Sequence, residues 1–439
     1  MKTLIFNILA LLFSTISYTQ TNYKFDFGTG KVAEGYHQVL PETIYSAALG
    51  YGFMPESKVQ GENRGGKNAL TSDFCTSDKP FFFTLDIPEG NYDVKVILGD
   101  AKDESETTVK VENRRLMLEN IHTKIGEFVT KTFTVNIRNR FINNTTEQVK
   151  LKPRELDYLH WDKQLTFEFA GTKPKICAIE ISKNEHAATI FLAGNSTVVD
   201  QAQEPFSAWG QMIPRFFKAE NVVFANHAES GETIKSFVTE KRLDKVMSQM
   251  KAGDYFFIEF AHNDQKTGNG IEANTTYKEY LQLFINKTRE KGAIPVLVTS
   301  MHRRNFDSTN HIINTLGQFP EAMRAVAKQE NVALIDLNEM SKTLWEALGV
   351  ENSKKAFVHY KANTFEGQSK DLADNTHFNN YGAYQLAKCI IEGIKAAKLP
   401  ISKDLLPNSP TYNPAQPDDL NQWNFPNSPL VKVIKPDGN

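Results

Sequence analysis

Cysteine is nearly absent from this 439-residue chain, which has three, Cys75, Cys177 and Cys389. An odd and widely spaced set allows at most one disulfide and contains no zinc-type pairing, so a disulfide framework is excluded. The apolar neighbourhoods of the three predict buried thiols. The histidines are scattered, with no His-x-x-x-His pair, and no Asp/Glu cluster has ligand spacing. That pattern argues against a zinc or calcium ion required for chemistry, and no cofactor is implied. An excess of one charge is missing too: the formal net charge of −2 gives no electrostatic reason to expect nucleic acid or an anionic membrane as partner. At the N-terminus the apolar run Leu4–Phe13 follows Lys2 and gives way to the polar stretch Ser14–Thr21. It is too short to span a bilayer and has the layout of a signal peptide over residues 1–20, with cleavage near Tyr18–Gln20. The expectation is a secreted or periplasmic protein with no membrane partner after cleavage.

What is present is a soluble globular composition, 40% hydrophobic and 23% charged, over a length that suggests more than one domain. Residues 22–184 read as all-β. Phe81–Ile87, Tyr92–Leu98, Lys131–Ile137, Leu165–Phe169 and Ile176–Ile181 alternate or are rich in aromatic and β-branched residues, with turn signals such as Pro88-Glu89-Gly90-Asn91 between them. A β-sandwich is predicted. From residue 187 to 400 the pattern becomes strand then helix. Strands are expected at Ala188–Ala193, Val222–Asn226, Tyr255–Phe260, Ile294–Thr299 and Val332–Asp336, and helices at Thr233–Lys251, Thr275–Lys291, Gln318–Gln329 and Asn379–Lys398. The alternation predicts an α/β fold, a parallel sheet with helices on both faces. Pro295 must then lie at the first positions of its strand. The long polar stretch Asn352–Ala373 reads as a loop of the kind that forms lids. Residues 401–439 hold seven of the 18 prolines without periodicity, so this tail is either disordered or an extended strap, with Trp423, Phe425 and Leu430 favouring the strap.

The chemistry is concentrated at strand ends. Ser196 follows the apolar run Ala188–Ala193, which places its hydroxyl at the carboxyl end of a buried parallel strand, where open α/β sheets bind ligands. A serine becomes a nucleophile when a base removes its proton. His377, three residues after Asp374 and about 180 after the serine, supplies a base held by a carboxylate. Two more strand ends deliver Gly231 and Asn263, suited to donate N–H groups to the oxyanion of an acyl-transfer transition state, as does the Ser196 N–H. Taken singly, Ser196 could cap a helix, His377 could be structural and Asp374 could be a turn residue. His262, beside Asn263, lacks a carboxylate at the spacing of Asp374 and is not the expected base. His302-Arg303-Arg304 is a basic cluster at another strand end. It is either a solvated loop or, through Arg303 and Arg304, a clamp for a uronate carboxylate.

The blocks Gly194-Asn195-Ser196, Gly231, Asn263 and Asp374-x-x-His377, in this order, resemble the SGNH (GDSL-like) hydrolase superfamily. Their flanks, including Ser196-Thr197-Val198 and His377-Phe378-Asn379-Asn380-Tyr381-Gly382-Ala383, look most like its rhamnogalacturonan acetylesterase branch. The resemblance covers roughly residues 187–400 and implies a flavodoxin-like sheet. It departs from the pattern at Asn195, where Asp is usual, and at Ala261, where Gly is usual, the latter requiring a negative φ. Lys24-Phe25-Asp26-Phe27-Gly28 and Ile179-Glu180-Ile181 resemble galactose-binding-like sandwiches, which leaves two roles for the first half: packing on the hydrolase or binding sugar. The resemblance implies a serine esterase that removes O-acetyl groups from an acetylated polysaccharide or oligosaccharide, foremost rhamnogalacturonan or another pectin. The alternatives are an acetylxylan esterase and a glycan-binding protein with an inactive hydrolase scaffold.

Overall fold

The computed structural model describes residues 22–143, 145–365, 367–407, 409, 411–429 and 435–437; the expected signal peptide and Leu430 lie outside them. Period-two burial along Phe81–Asp86, Gly90–Gly99 and Gln164–Ala170 sends Phe81, Phe83, Val94, Val96, Leu165, Phe167 and Phe169 into one core. That core lies between two five-stranded sheets. Across the first the order is Phe128–Ile137, Gly90–Gly99, Ala178–Lys183, Asn22–Phe27, His37–Val39. Across the second it is Tyr51–Phe53, Phe81–Asp86, Gln164–Ala170, Ser105–Val111, Arg115–Thr123. Pairing is antiparallel except where Asn22–Phe27 runs parallel to His37–Val39. Edge-on aromatic contacts fill the centre, with Phe83 meeting Phe25 at 5.1 Å and Phe27 at 5.0 Å between ring centroids.

The second half is built on a five-stranded parallel sheet of Ala188–Ala193, Val222–Asn226, Tyr255–Ile258, Ile294–Val298 and Ala333–Ile335. Numbered along the chain, these strands lie in the order 2-1-3-4-5, the flavodoxin-like arrangement. Adjacent residues of each strand enter different cores. Ile190 and Leu192 face Trp209, Trp345 and the helix Asn380–Ala396, while Phe191 and Ala193 face Phe237, Phe284 and the helices on the other side. Pro295 is the second residue of its strand, where the loss of one donor is tolerated. All three cysteines are free and buried. Among the described residues, no helix is long and apolar enough to cross a membrane.

Three local expectations change. The single helix read over Thr233–Lys251 is two, Ile234–Thr239 and Arg242–Gln249, because Lys241 takes a left-handed φ of 64° between them. Leu337–Asn352 is a helix that the sequence reading did not place, begun by the side chain of Asp336, which accepts from Glu339 N–H. The stretch Asn352–Ala373 is not a free loop: its strand Phe357–Tyr360 pairs antiparallel with Leu372–Phe378, the strand that carries Asp374 and His377. The tail forms a strap over its described part. Trp423 packs on Tyr381 and Tyr384, and Lys388 pairs with Asp418. Ser428 then reaches the sandwich, where Lys110 Nζ and Arg114 Nε donate to its hydroxyl.

Candidate active site

The strand Ala188–Ala193 ends in a tight turn in which Val198 and Val199 N–H donate to Asn195 O. Gly194 is required there, since a Cβ would lie 2.5 Å from Val198 Cγ2. Asn195 faces inward, its Oδ1 accepting from Thr197 N–H and Oγ1 at 3.1 and 3.0 Å. The amide therefore closes the same short turn that a carboxylate would close. No helix starts at Ser196, which removes the capping role; the next helix is Trp209–Met212. Ala261, the other departure, is not among the positive-φ residues.

Ser196 Oγ and His377 Nε2 are 2.8 Å apart, and His377 Nδ1 lies 2.8 Å from Asp374 Oδ2. The second carboxylate oxygen, Oδ1, accepts from the backbone N–H of Thr376 and His377 at 2.8 and 3.0 Å. Burial pushes the Asp374 carboxyl up, but the His377 hydrogen bond and charge and these two N–H groups outweigh it and hold the group down at about 2. An ionised Asp374 keeps the imidazole proton on Nδ1, leaving the Nε2 lone pair to receive the serine proton. The rings of His377 and Phe206 pack nearly perpendicular, with centroids 5.9 Å apart.

Two other strand ends lie beside the nucleophile turn, where Glu229 N–H donates to Gly194 O and Glu259 N–H to Ala193 O. Gly231 has φ +81°, a left-handed backbone that favours glycine. Neither Gly231 N–H nor Ser196 N–H has an acceptor among the described residues. Asn263 Nδ2 donates to Glu232 O at 3.0 Å, fixing the amide plane beside the same loop. His262 has its Nε2 2.9 Å from Met301 O, and burial lowers it well below the ordinary histidine range. Beneath the serine turn, Glu259 receives Trp209 Nε1–H at 2.8 Å, and its Oε1 lies 3.1 Å from Thr197 Oγ1 and 3.0 Å from Ser300 Oγ. Burial pushes Glu259 up to about 7, although these three groups favour its charged form.

Arg303 and Arg304 also reach the triad strand, with internal partners. Arg303 Nε donates to Thr376 Oγ1 at 3.2 Å and Nη2 to His262 O at 3.1 Å. Arg304 donates to Asn375 Oδ1, Ser353 Oγ and Val350 O. As placed, the pair braces Asn375 and Thr376.

Several site neighbours carry no sequence signal. Lys152 and Arg154, in the segment read as sandwich, both donate to Ser230 O. From the far end of the chain, Asp437 lies over Gly231 and Lys435 Nζ is 3.9 Å from Asp374 Oδ2. Glu155, His160 and Glu229 place one ligand atom each within 4.8 Å of one another. Both carboxylates already bind guanidinium groups, Glu155 that of Arg242 and Glu229 that of Arg154, so this donor set is neutralised by cations of the protein itself.

The halves correspond to two known families. A family described as beta-agarase/YXIM esterase-like, galactose-binding domain-like matches residues 23–146, and the GDSL-like Lipase/Acylhydrolase family matches residues 192–384. Rhamnogalacturonan acetylesterase RhgT of Bacillus subtilis (strain 168) is 43% identical over 219 residues, 49% of this chain and 94% of the relative. The chain belongs to the GDSL-like lipase/acylhydrolase family. This acylhydrolase is thus a carboxylic ester hydrolase, preceded by a galactose-binding-like sandwich. Esterase YxiM of the same organism is 25% identical over 385 residues, 85% of this acylhydrolase and 90% of the relative. The crystal structure of the B. subtilis YxiM protein is similar at a TM-score of 0.46 and 25% identity, covering 87% of this chain and 99% of that one.

Proposed function

We propose that the acylhydrolase removes O-acetyl groups from a carbohydrate, with acetylated rhamnogalacturonan or a related pectin as substrate. The observation that carries the reading is the continuous chain Ser196 Oγ, His377 Nε2, His377 Nδ1, Asp374 Oδ2, with 2.8 Å at both contacts. Ser196 Oγ attacks the acetyl carbonyl as His377 takes its proton. The tetrahedral oxyanion is received by Ser196 N–H, Gly231 N–H and the Asn263 amide. His377 returns the proton to the departing sugar oxygen, and water repeats the cycle on the acetyl-enzyme. The substrate class is supported by relatives whose names are those of carbohydrate acetylesterases: RhgT, and the rhamnogalacturonan acetylesterase of Emericella nidulans, 25% identical over 230 residues.

The working place we propose is outside the cytoplasm, on the strength of the signal-peptide layout of residues 1–20. Sequencing the N-terminus of the protein recovered from the medium or periplasm tests it. The test of function is acetate release from acetylated rhamnogalacturonan, acetylxylan and p-nitrophenyl acetate by wild type and Ser196→Ala. Faster release from the pectic polymer, abolished by Ser196→Ala, is expected. Preference for acetylxylan would move the substrate, and binding of glycan without turnover of any ester would leave the inactive-scaffold alternative.

A further inference from the structure

Lys152 and Arg154 belong to no strand of the parallel sheet. They flank Pro153 at the start of a short 3-10 turn, Pro153–Asp157, between the sandwich strands Phe128–Ile137 and Gln164–Ala170. Pro153 suits the first position of such a turn, and Glu155 Oε2 accepts from Lys152 N–H at 2.8 Å. Glu155 is itself held by Arg242 and by Trp161 Nε1–H. The turn is thereby locked to the hydrolase half, with the side chains of residues 152 and 154 directed at one loop.

That loop is Glu229-Ser230-Gly231-Glu232, and the two cations take up its acceptors. Lys152 Nζ lies 2.5 Å from Glu232 Oε1, and Arg154 Nη2 lies 2.7 Å from Glu229 Oε1. Both also donate to one carbonyl: Lys152 Nζ reaches Ser230 O at 2.6 Å and Arg154 Nη2 reaches it at 2.8 Å. Ser230 O and Gly231 N–H are opposite ends of a single planar peptide unit. Two cationic N–H donors on the oxygen fix the plane of that unit and polarise it, which makes the N–H a stronger donor, while the charge of Lys152 is balanced by Glu232 and that of Arg154 by Glu229 and Asp437. Glu229 and Glu232 are almost wholly buried, whereas the side chains of Lys152 and Arg154 are 20% and 27% exposed, so solvent screens the cations in part.

We infer that Lys152 and Arg154 are positioning residues of the oxyanion hole, supplied by the sandwich half of the chain, which orient and polarise the Ser230–Gly231 peptide for the transition state. The inference rests on the esterase reading above, in which Gly231 N–H receives the oxyanion. It also assigns the first half a part in the reaction distinct from sugar binding. A donor strengthened in this way acts on the tetrahedral species, which carries a full negative charge, far more than on the neutral ester.

The test uses the full chain with Lys152→Met and Arg154→Met, studied separately so that one decides if the other fails to fold, and the conservative Lys152→Arg. On p-nitrophenyl acetate, each Met variant should lower kcat by about tenfold or more and leave KM within about twofold. The affinity for a small alkylboronic acid, which forms a tetrahedral anion on the nucleophile, should fall by the same factor as kcat, while inhibition by neutral acetamide is unchanged. Lys152→Arg should recover most of the loss. A folded Met variant with unchanged kcat overturns the inference, and so does a kcat loss not matched by boronate affinity. Ser196→Ala separates the two levels. Retained turnover in that variant removes the esterase reading itself, whereas its inactivity beside an unaffected Lys152→Met removes only the role of the cations.

Discussion

Arg115 of the sandwich and Asp200 of the nucleophile segment form a buried ion pair, with Arg115 Nε and Nη2 at 3.0 and 2.8 Å from one carboxylate oxygen. The other oxygen accepts from Asn226 Nδ2 at 2.8 Å, and the same amide donates to Val198 O, two residues past Ser196. Leu116, the next sandwich residue, is part of the hydrolase core. The first half is thus a structural neighbour of the catalytic turn.

Breaking this pair leaves an uncompensated buried charge. Arg115→Ala should lower stability by about 3–5 kcal/mol, read from the shift of the denaturation midpoint in urea. A fragment of residues 187–439 should be poorly soluble, because the face around Leu116 and Asp200 would be exposed. A soluble, stable fragment would show that the interface contributes little.

For the triad, Ser196→Ala and His377→Ala should each lower kcat by about 10⁴-fold or more, and the double variant should lose little beyond either, since the pair acts as a unit. Asn263→Ala should cost about 10²- to 10³-fold in kcat. Near wild-type turnover in Ser196→Ala would sink the assignment.

Glu259 predicts a pH effect on stability. Its carboxyl, raised from 4.5 to about 7 by burial, stays protonated in the native state where the unfolded chain has already released the proton. Between those values the native state binds more protons, so the stability associated with this group is full below the unfolded value and is lost as the pH rises through about 7. Glu259→Gln removes that dependence. The variant should gain on wild type by on the order of 3 kcal/mol between about pH 5 and pH 8, measured by urea midpoints. A constant difference would mean that Glu259 does not titrate there.

Arg303 and Arg304 brace the strand that carries Asn375 and Thr376, so their replacement should disturb the triad for every ester. Arg304→Met is expected to reduce kcat on p-nitrophenyl acetate and on acetylated pectin by the same factor, within about twofold. A KM increase confined to the pectic substrate, and sensitive to salt, would restore the carboxylate clamp.

Much of this was legible in the chain. Ala188–Ala193 and Val222–Asn226 coincide with the strands read from their apolar runs, because a strand buried on both faces has to be continuously apolar. The Asp374-x-x-His377 spacing lets one local turn orient the imidazole, a contact of residues three apart that needs no knowledge of the rest of the fold. The break at Lys241 was hidden, since a lysine with positive φ has no distinctive signature. The pairing of Phe357–Tyr360 with the triad strand was hidden too, because a four-residue aromatic and β-branched run inside a mainly polar stretch is too short to announce a strand without its partner.

The sequence alone determined the chemistry available, namely a nucleophile, a base with its carboxylate and donors at successive strand ends, because each depends on local spacing and on the alternation of strand and helix. Only the tertiary structure decided what surrounds them. Lys152 and Arg154 meet Ser230 across 78 and 76 positions, and Arg115 meets Asp200 across 85. Contacts of that separation leave no periodic trace in the chain. They exist because two hydrophobic cores bury against one another and carry the charged residues at their seam into the same low-dielectric space, where each must find a partner.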